Sequence, residues 1–174
     1  MIQTIHKGHR RPRWWWIWLR WFFLRVWINK KFIRKKVIFG FNCNYDLNGP
    51  DQEDHNKLFG ISYYPGPHTD SARFGWRFDL ATQKLIISAY CYVNGQRIMK
   101  DICNVLRSKI YVMTIEISGG FYKFNVYKEG ESLPMAKYDV PYEHNKIFSY
   151  PSGLYFGGTS KAPNDMTIEI KNIR

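Results

Sequence analysis

Two arginines on alternate positions of one short segment, Arg73 and Arg77 in SARFGWRFD (71–79), are the groups of this 174-residue chain best suited to hold an anion. A guanidinium presents planar, paired donors that match a carboxylate, sulfate or phosphate. Tyr90 and Tyr92, two apart, add flat rings with polar tips, and His68 stands in the preceding loop. Together Arg73, Arg77, Tyr90, Tyr92 and His68 form the candidate binding set for an anionic saccharide or another small anion. The competing use of the arginines is pairing with Asp79 and other acids on a solvated sheet, a common and weakly informative arrangement.

Catalytic chemistry finds less support. Glycoside hydrolysis needs two carboxylates facing one another, and Asp79, Glu116 and Glu169 lie on separate segments with nothing in the sequence to unite them. No glycine-rich phosphate loop, nucleophile elbow or Ser-His-Asp order occurs. Cys43, Cys91 and Cys103 form no CxxC pair, and the five histidines show no zinc spacing. Asp51, Glu53 and Asp54 cluster in a loop but lack the spaced ligand ladder of a calcium site. No catalytic residue, metal or cofactor is assigned.

The elements that would position these groups read as strands. In residues 71–79, Ala72, Phe74, Trp76 and Phe78 fall on one face and Arg73, Arg77 and Asp79 on the other, the period-two pattern of a half-buried strand. Residues 84–93 repeat it, with Leu85, Ile87, Ala89, Cys91 and Val93 opposite Ile86, Ser88, Tyr90 and Tyr92. Asn94-Gly95 then signals a tight hairpin. Further strands are expected over 36–42, 57–64, 96–103, 109–117, 121–128, 135–140, 146–150, 153–156 and 166–173. That makes about ten strands and no ordinary helix, the pattern of an all-β antiparallel sandwich or jelly roll.

The first 32 residues differ in kind. Of 26 Lys and Arg, eleven lie in residues 1–40, which hold no acid; the remaining fifteen face fourteen acids, a net +1. The basicity therefore belongs to an N-terminal arm (1–32), and the sandwich domain (33–174) is nearly neutral. Trp14, Trp15, Trp16, Trp18, Trp21 and Trp27 crowd into the arm, interrupted by Arg20 and Arg25. The apolar run is shorter than the roughly 20 residues that span a bilayer and lacks a small-residue cleavage site. Two uses fit it equally. One is a membrane-surface segment with tryptophans at headgroup level; the other is an arm docked on a protein partner or on the chain's own sheet. Nucleic acid ranks third.

Residues 153–170, GLYFGGTSKAPNDMTIEI, resemble the closing segment of concanavalin A-like jelly rolls, and the blocks SARFGWR and AYCYVNGQR resemble small uncharacterised proteins of gut Bacteroidetes and their phages. The resemblance spans about residues 37–174 and implies a lectin- or glucanase-like fold. The family-16 glucanase pattern E-x-D-x-x-E is absent. FYKFNVY (121–127) resembles only loosely a strand of jelly-roll alginate lyases, without its terminal Gln, and SARFGWR lacks the glutamate of their arginine motif. The expected function is a non-catalytic, lectin-like binding module for an anionic glycan, tethered by its arm. The alternatives are a structural or assembly protein, of a virion for example, and a polysaccharide lyase or hydrolase. The localisation is left open.

Overall fold

Alternating apolar strands need a second apolar layer, and the chain supplies one from itself. The computed structural model describes residues 1–8 and 27–173. Among these are twelve strands: β1 (Ile2–Ile5), β2 (Trp27–Ile28), β3 (Phe32–Phe39), β4 (Asn56–Tyr63), β5 (Ser71–Asp79), β6 (Lys84–Val93), β7 (Gln96–Val105), β8 (Ile110–Ser118), β9 (Phe121–Lys128), β10 (Ala136–Pro141), β11 (Phe148–Ser152) and β12 (Met166–Asn172). They form two six-stranded sheets, β1-β12-β3-β8-β9-β10 and β2-β11-β4-β5-β6-β7, paired antiparallel throughout. The antiparallel sandwich expected from the alternation is what forms.

The core lies where the alternation puts it. Phe74, Trp76, Ile87 and Cys91 of one sheet and Met113, Ile115, Phe124 and Ile168 of the other are fully buried. Phe74 meets Phe124 edge-on across the layers at 5.0 Å between ring centres, and Phe39 meets Trp76 at 5.5 Å. Each such side chain contributes about 1.5–3 kcal/mol through removal from water, with more from the aromatic geometry. The hairpin after β6 turns at Asn94 and Gly95, both with positive φ (50° and 83°), as a two-residue turn between right-twisted strands requires.

Boundaries moved where the partner strand decided them. The expected strand 36–42 runs instead over Phe32–Phe39, since its pairing with β8 extends from Phe32 to Ile38. The two short strands expected at 146–150 and 153–156 are one strand, β11, followed by a single bridge between Tyr155 and Lys57. Both described ends of the 1–32 segment join the sandwich: Ile2–Ile5 pairs with β12, and Trp27–Ile28 with β11. Trp14, Trp15, Trp16, Trp18 and Trp21 lie outside the described residues, as does the side chain of Trp27. No helix among the described residues is long and apolar enough to cross a membrane. The three cysteines are free thiols, and burial pushes those of Cys43 and Cys91 up to about 12 and that of Cys103 to about 11.

Candidate functional site

The second sheet is unusual in being covered on both faces over β4 and β5. All eight residues of β4 are buried, as are Ser71–Trp76 of β5, although the outward positions carry polar and charged groups. This outer face is the front of the candidate site. The alternation leaves open whether this face is solvated or covered; in the structure Arg73 is 1% exposed and Tyr90 5%. Cover comes from the chain that bridges to Lys57 at Tyr155 and from the loop at Pro67, while the face opens toward β7, where Arg97 and Met99 are exposed.

The arginines of β5 have opposite fates. Arg77 is held by three carboxylates, Glu53 at 2.8 Å, Asp101 at 3.3 Å and Asp79 at 3.8 Å, and so takes the surface-pairing role. Arg73 has no carboxylate partner among the described residues. Its Nη1 donates to the Tyr155 hydroxyl at 3.0 Å and its Nη2 to the Pro67 carbonyl at 3.4 Å. Its guanidinium carbon lies 4.9 Å from the centre of the Tyr90 ring and 5.7 Å from that of Tyr92. Tyr92 in turn meets His68 edge-on at 4.8 Å. Four of the five expected residues, Arg73, Tyr90, Tyr92 and His68, are thus linked side by side, and Arg77 sits four residues along the strand on the same face in its own ion-pair cluster.

Several residues outside the candidate set join the site. Lys57, 6% exposed, sets its ammonium 3.9 Å over the Tyr90 ring and donates to the His55 carbonyl at 2.6 Å. His55 Nε2 binds Asp101 at 2.8 Å. With Asp101 accepting, Nε2 carries the proton and Nδ1 is a bare acceptor. Ser88 stands opposite both Gly75 and Asp101. Gly75 is where a side chain would block the face: a Cβ there would lie 2.5 Å from Ser88 Oγ and 3.4 Å from His55 Cβ.

Two irregularities in register set which groups face the front. Phe59, Ile61 and Tyr63 face the core, so strict alternation would turn Lys57 inward as well. The pairing of β4 with β5 slips between Lys57 and Phe59, which sends Leu58 into the core and Lys57 to the front, opposite Gly75. A second slip, between Ile87 and Ser88 against β7, keeps Asp101 in step with Arg97 and Met99 on the front while turning Cys103 and Val105 toward the core.

Polar atoms left without partners collect on this face. Arg73 Nε, Arg77 Nε, Ser88 Oγ and His55 Nδ1 are buried and make no hydrogen bond among the described residues. Buried polar atoms in folded proteins are nearly always satisfied, so a row of exceptions calls for a partner such as a ligand or ordered water. Two donors, one acceptor and one hydroxyl could grip a ligand bearing both an acidic group and hydroxyls.

His55 also makes the fold acid-sensitive. Burial, opposed by Asp101 and reinforced by Arg77 and Lys57, holds its pKa below the usual 6.5. The unfolded chain therefore binds the proton more readily, and the stability His55 contributes is full above about pH 6.5 and is lost as pH falls through its folded value. Between pH 6.5 and 5, urea unfolding of the wild type is expected to lose more stability than that of His55→Gln; parallel curves would exclude this role.

The loop acids serve structure. Asp51 Oδ2 accepts from the backbone N–H and hydroxyl of both Thr159 and Ser160, at 2.6–3.1 Å, so it fastens the segment after Tyr155. No group of three or more His, Cys, Asp or Glu among the described residues is arranged to hold a metal ion.

No protein-family model matches the chain, and no curated protein matches it. Solved structures do. The alginate lyase from Klebsiella pneumoniae superposes with a TM-score of 0.54 at 11% identity, over 82% of this chain and 59% of that one. A xylan β-1,4-xylosidase from Bacillus halodurans C-125 gives 0.49 at 11% identity (80% and 27%), and the CBM2 module of the Lactobacillus casei BL23 phage J-1 evolved Dit gives 0.48 at 14% (83% and 63%). The chain spans less than two thirds of each of these chains. At 11% identity the first likeness is one of fold: an all-β, two-sheet sandwich of the jelly-roll kind.

Proposed function

We propose that this protein is a lectin-like binding module whose front face takes an acidic glycan, with Arg73 as the anion-recognising group and Tyr90 and Tyr92 as stacking surfaces. One observation carries the reading: a buried guanidinium with no carboxylate partner among the described residues, beside a row of unsatisfied polar atoms. A buried charge is costly unless something compensates it, and the Tyr90 and Tyr92 rings offset only part of that cost. A ligand carboxylate or sulfate offsets the rest. Sugar hydroxyls suit Ser88 Oγ and His55 Nδ1, and the half-exposed Tyr92 with Arg97 and Met99 forms the entrance.

Calorimetric titration with oligosaccharides matched in length but differing in charge tests this. Carboxylated or sulfated chains should bind at least about tenfold tighter than neutral ones, a difference of about 1.4 kcal/mol, and the preference should shrink as salt rises. Equal affinity for neutral and acidic chains would remove Arg73 from the assignment. The concanavalin A-like resemblance agrees with a glycan ligand but carries none of this argument.

A further inference from the structure

The edge of the second sheet at β2 carries a row of apolar side chains that the core does not use. Ile28 is 72% exposed, Phe148 55% and Tyr64 48%. They are neighbours across the sheet. Ile28 stands opposite Phe148 in the pairing of β2 with β11, and the N–H of Tyr64, just past β4, donates to the Phe148 carbonyl at 3.3 Å.

Alternation turns the row outward. Ser149 and Tyr63 form the next cross-strand pair and are buried, so Phe148 and Tyr64 take the opposite face, and Ile28 shares it as the partner of Phe148. Ile147, also exposed, adds to the rim of the row, its carbonyl bound by the Asn29 N–H. Apolar residues exposed singly are ordinary, but a contiguous row marks an interaction surface.

Charge and the preceding chain indicate the partner. Of the charged residues that flank the row in sequence, Lys146 and Asp70 cancel in an ion pair at 2.6 Å. That leaves Lys30 and Lys31 against Glu143, all three exposed. Residues 9–26, which precede β2 in the chain, add five arginines and five tryptophans and no acid. The balance around the row is therefore positive, unlike that of the sandwich domain. An apolar row alone would suit a protein partner equally well. Joined to tryptophan and arginine in this density it suits a lipid interface, where tryptophan settles at headgroup level and basic side chains reach the phosphates.

We infer that this edge of the sandwich docks on an anionic lipid surface, with Ile28, Phe148 and Tyr64 in the headgroup region and Lys30 and Lys31 among the phosphates. The inference does not rest on the front-face reading. That face opens toward β7, at the opposite edge of the same sheet, and stays clear of the lipid in this arrangement.

Co-sedimentation of the full chain with vesicles of phosphatidylcholine alone, and of phosphatidylcholine mixed with phosphatidylglycerol, tests it. The mixed vesicles should bind at least about tenfold tighter than the neutral ones, and less so as salt rises. Ile28→Glu and Phe148→Glu should each weaken binding to the mixed vesicles by about tenfold or more, since each withdraws an apolar group from the lipid and sets a negative charge against it. Both positions are exposed, so neither change should disturb the fold. Leu133→Glu, at an exposed position in the connection from β9 to β10 on the first sheet, should bind like the wild type. Equal binding to the two kinds of vesicle, no binding to either, or wild-type binding by Phe148→Glu overturns the inference. Self-association of the wild type that Phe148→Glu abolishes, without vesicle binding, would assign the row to a protein interface and overturn it as well.

Discussion

Replacing Arg73 by methionine is expected to weaken binding of an acidic oligosaccharide by at least about thirtyfold while leaving the ligand-free protein as stable as before or more so. The first half follows from the cost of removing one partner of a buried, hydrogen-bonded charge pair, about 2–5 kcal/mol. The second half follows from the geometry without ligand. Arg73 is 1% exposed, and its partners are a tyrosine hydroxyl, a carbonyl and two aromatic rings, with Nε unsatisfied. Methionine fills much of the same volume without the buried charge, whose removal from water costs several kcal/mol, so the exchange should be neutral or stabilising. A residue retained for folding would behave in the opposite way. Titration of the variant against the acidic chain, with parallel urea unfolding, decides it: a variant that binds normally but is several kcal/mol less stable would make Arg73 a structural residue.

Gly60→Ala is expected to cost about 3 kcal/mol of stability and to abolish front-face binding with it. Gly60 is the cross-strand partner of Arg73. A Cβ at this position would lie 2.6 Å from the Arg73 Cα and 2.7 Å from its Cγ, and closer still to the Ala72 carbonyl oxygen. Two of the three obstacles are backbone, so no rotamer change relieves the clash, and overpacking of this kind costs about 1–3 kcal/mol or more. The bare Cα of Gly60 is what lets the arginine stem lie across β4 toward Tyr155. Gly95→Ala, at a turn position with open space around it, serves as the control for the loss of a glycine as such, its positive φ making it the mildly strained case. A wild-type urea midpoint for Gly60→Ala would show that the strands can part at this point.

The two predictions test a face whose composition was legible in the sequence and whose environment was not. Alternation placed Ala72, Phe74, Trp76 and Phe78 inward and Arg73 and Arg77 outward, and the pairing register agrees at every position of β5 with β6. It also joined Tyr90 to Arg73 as lateral neighbours. The local pattern set Asp79 beside Arg77, but the two acids that hold Arg77 most closely come from residues 53 and 101, on either side in the chain and brought together only by folding. His55 and Tyr155 had no visible signal at all. One lies just before a strand and the other in an irregular segment, and each becomes part of the site through what it packs against.

What the sequence by itself determined, then, is the all-β class, the core faces of β5 and β6, the Asn94-Gly95 turn and the concentration of basic charge in the first forty residues. These follow from a period-two rule and from turn chemistry, both of which act between near neighbours along the chain. The tertiary structure decided that the front face is covered, that Arg73 is unpaired by acid among the described residues while Arg77 is tied three times, and that Lys57 points outward. The last point has the plainest physical cause. A strand's phase is local, but a slip in register is set by the strand beside it, and one extra residue reverses the face of everything beyond it.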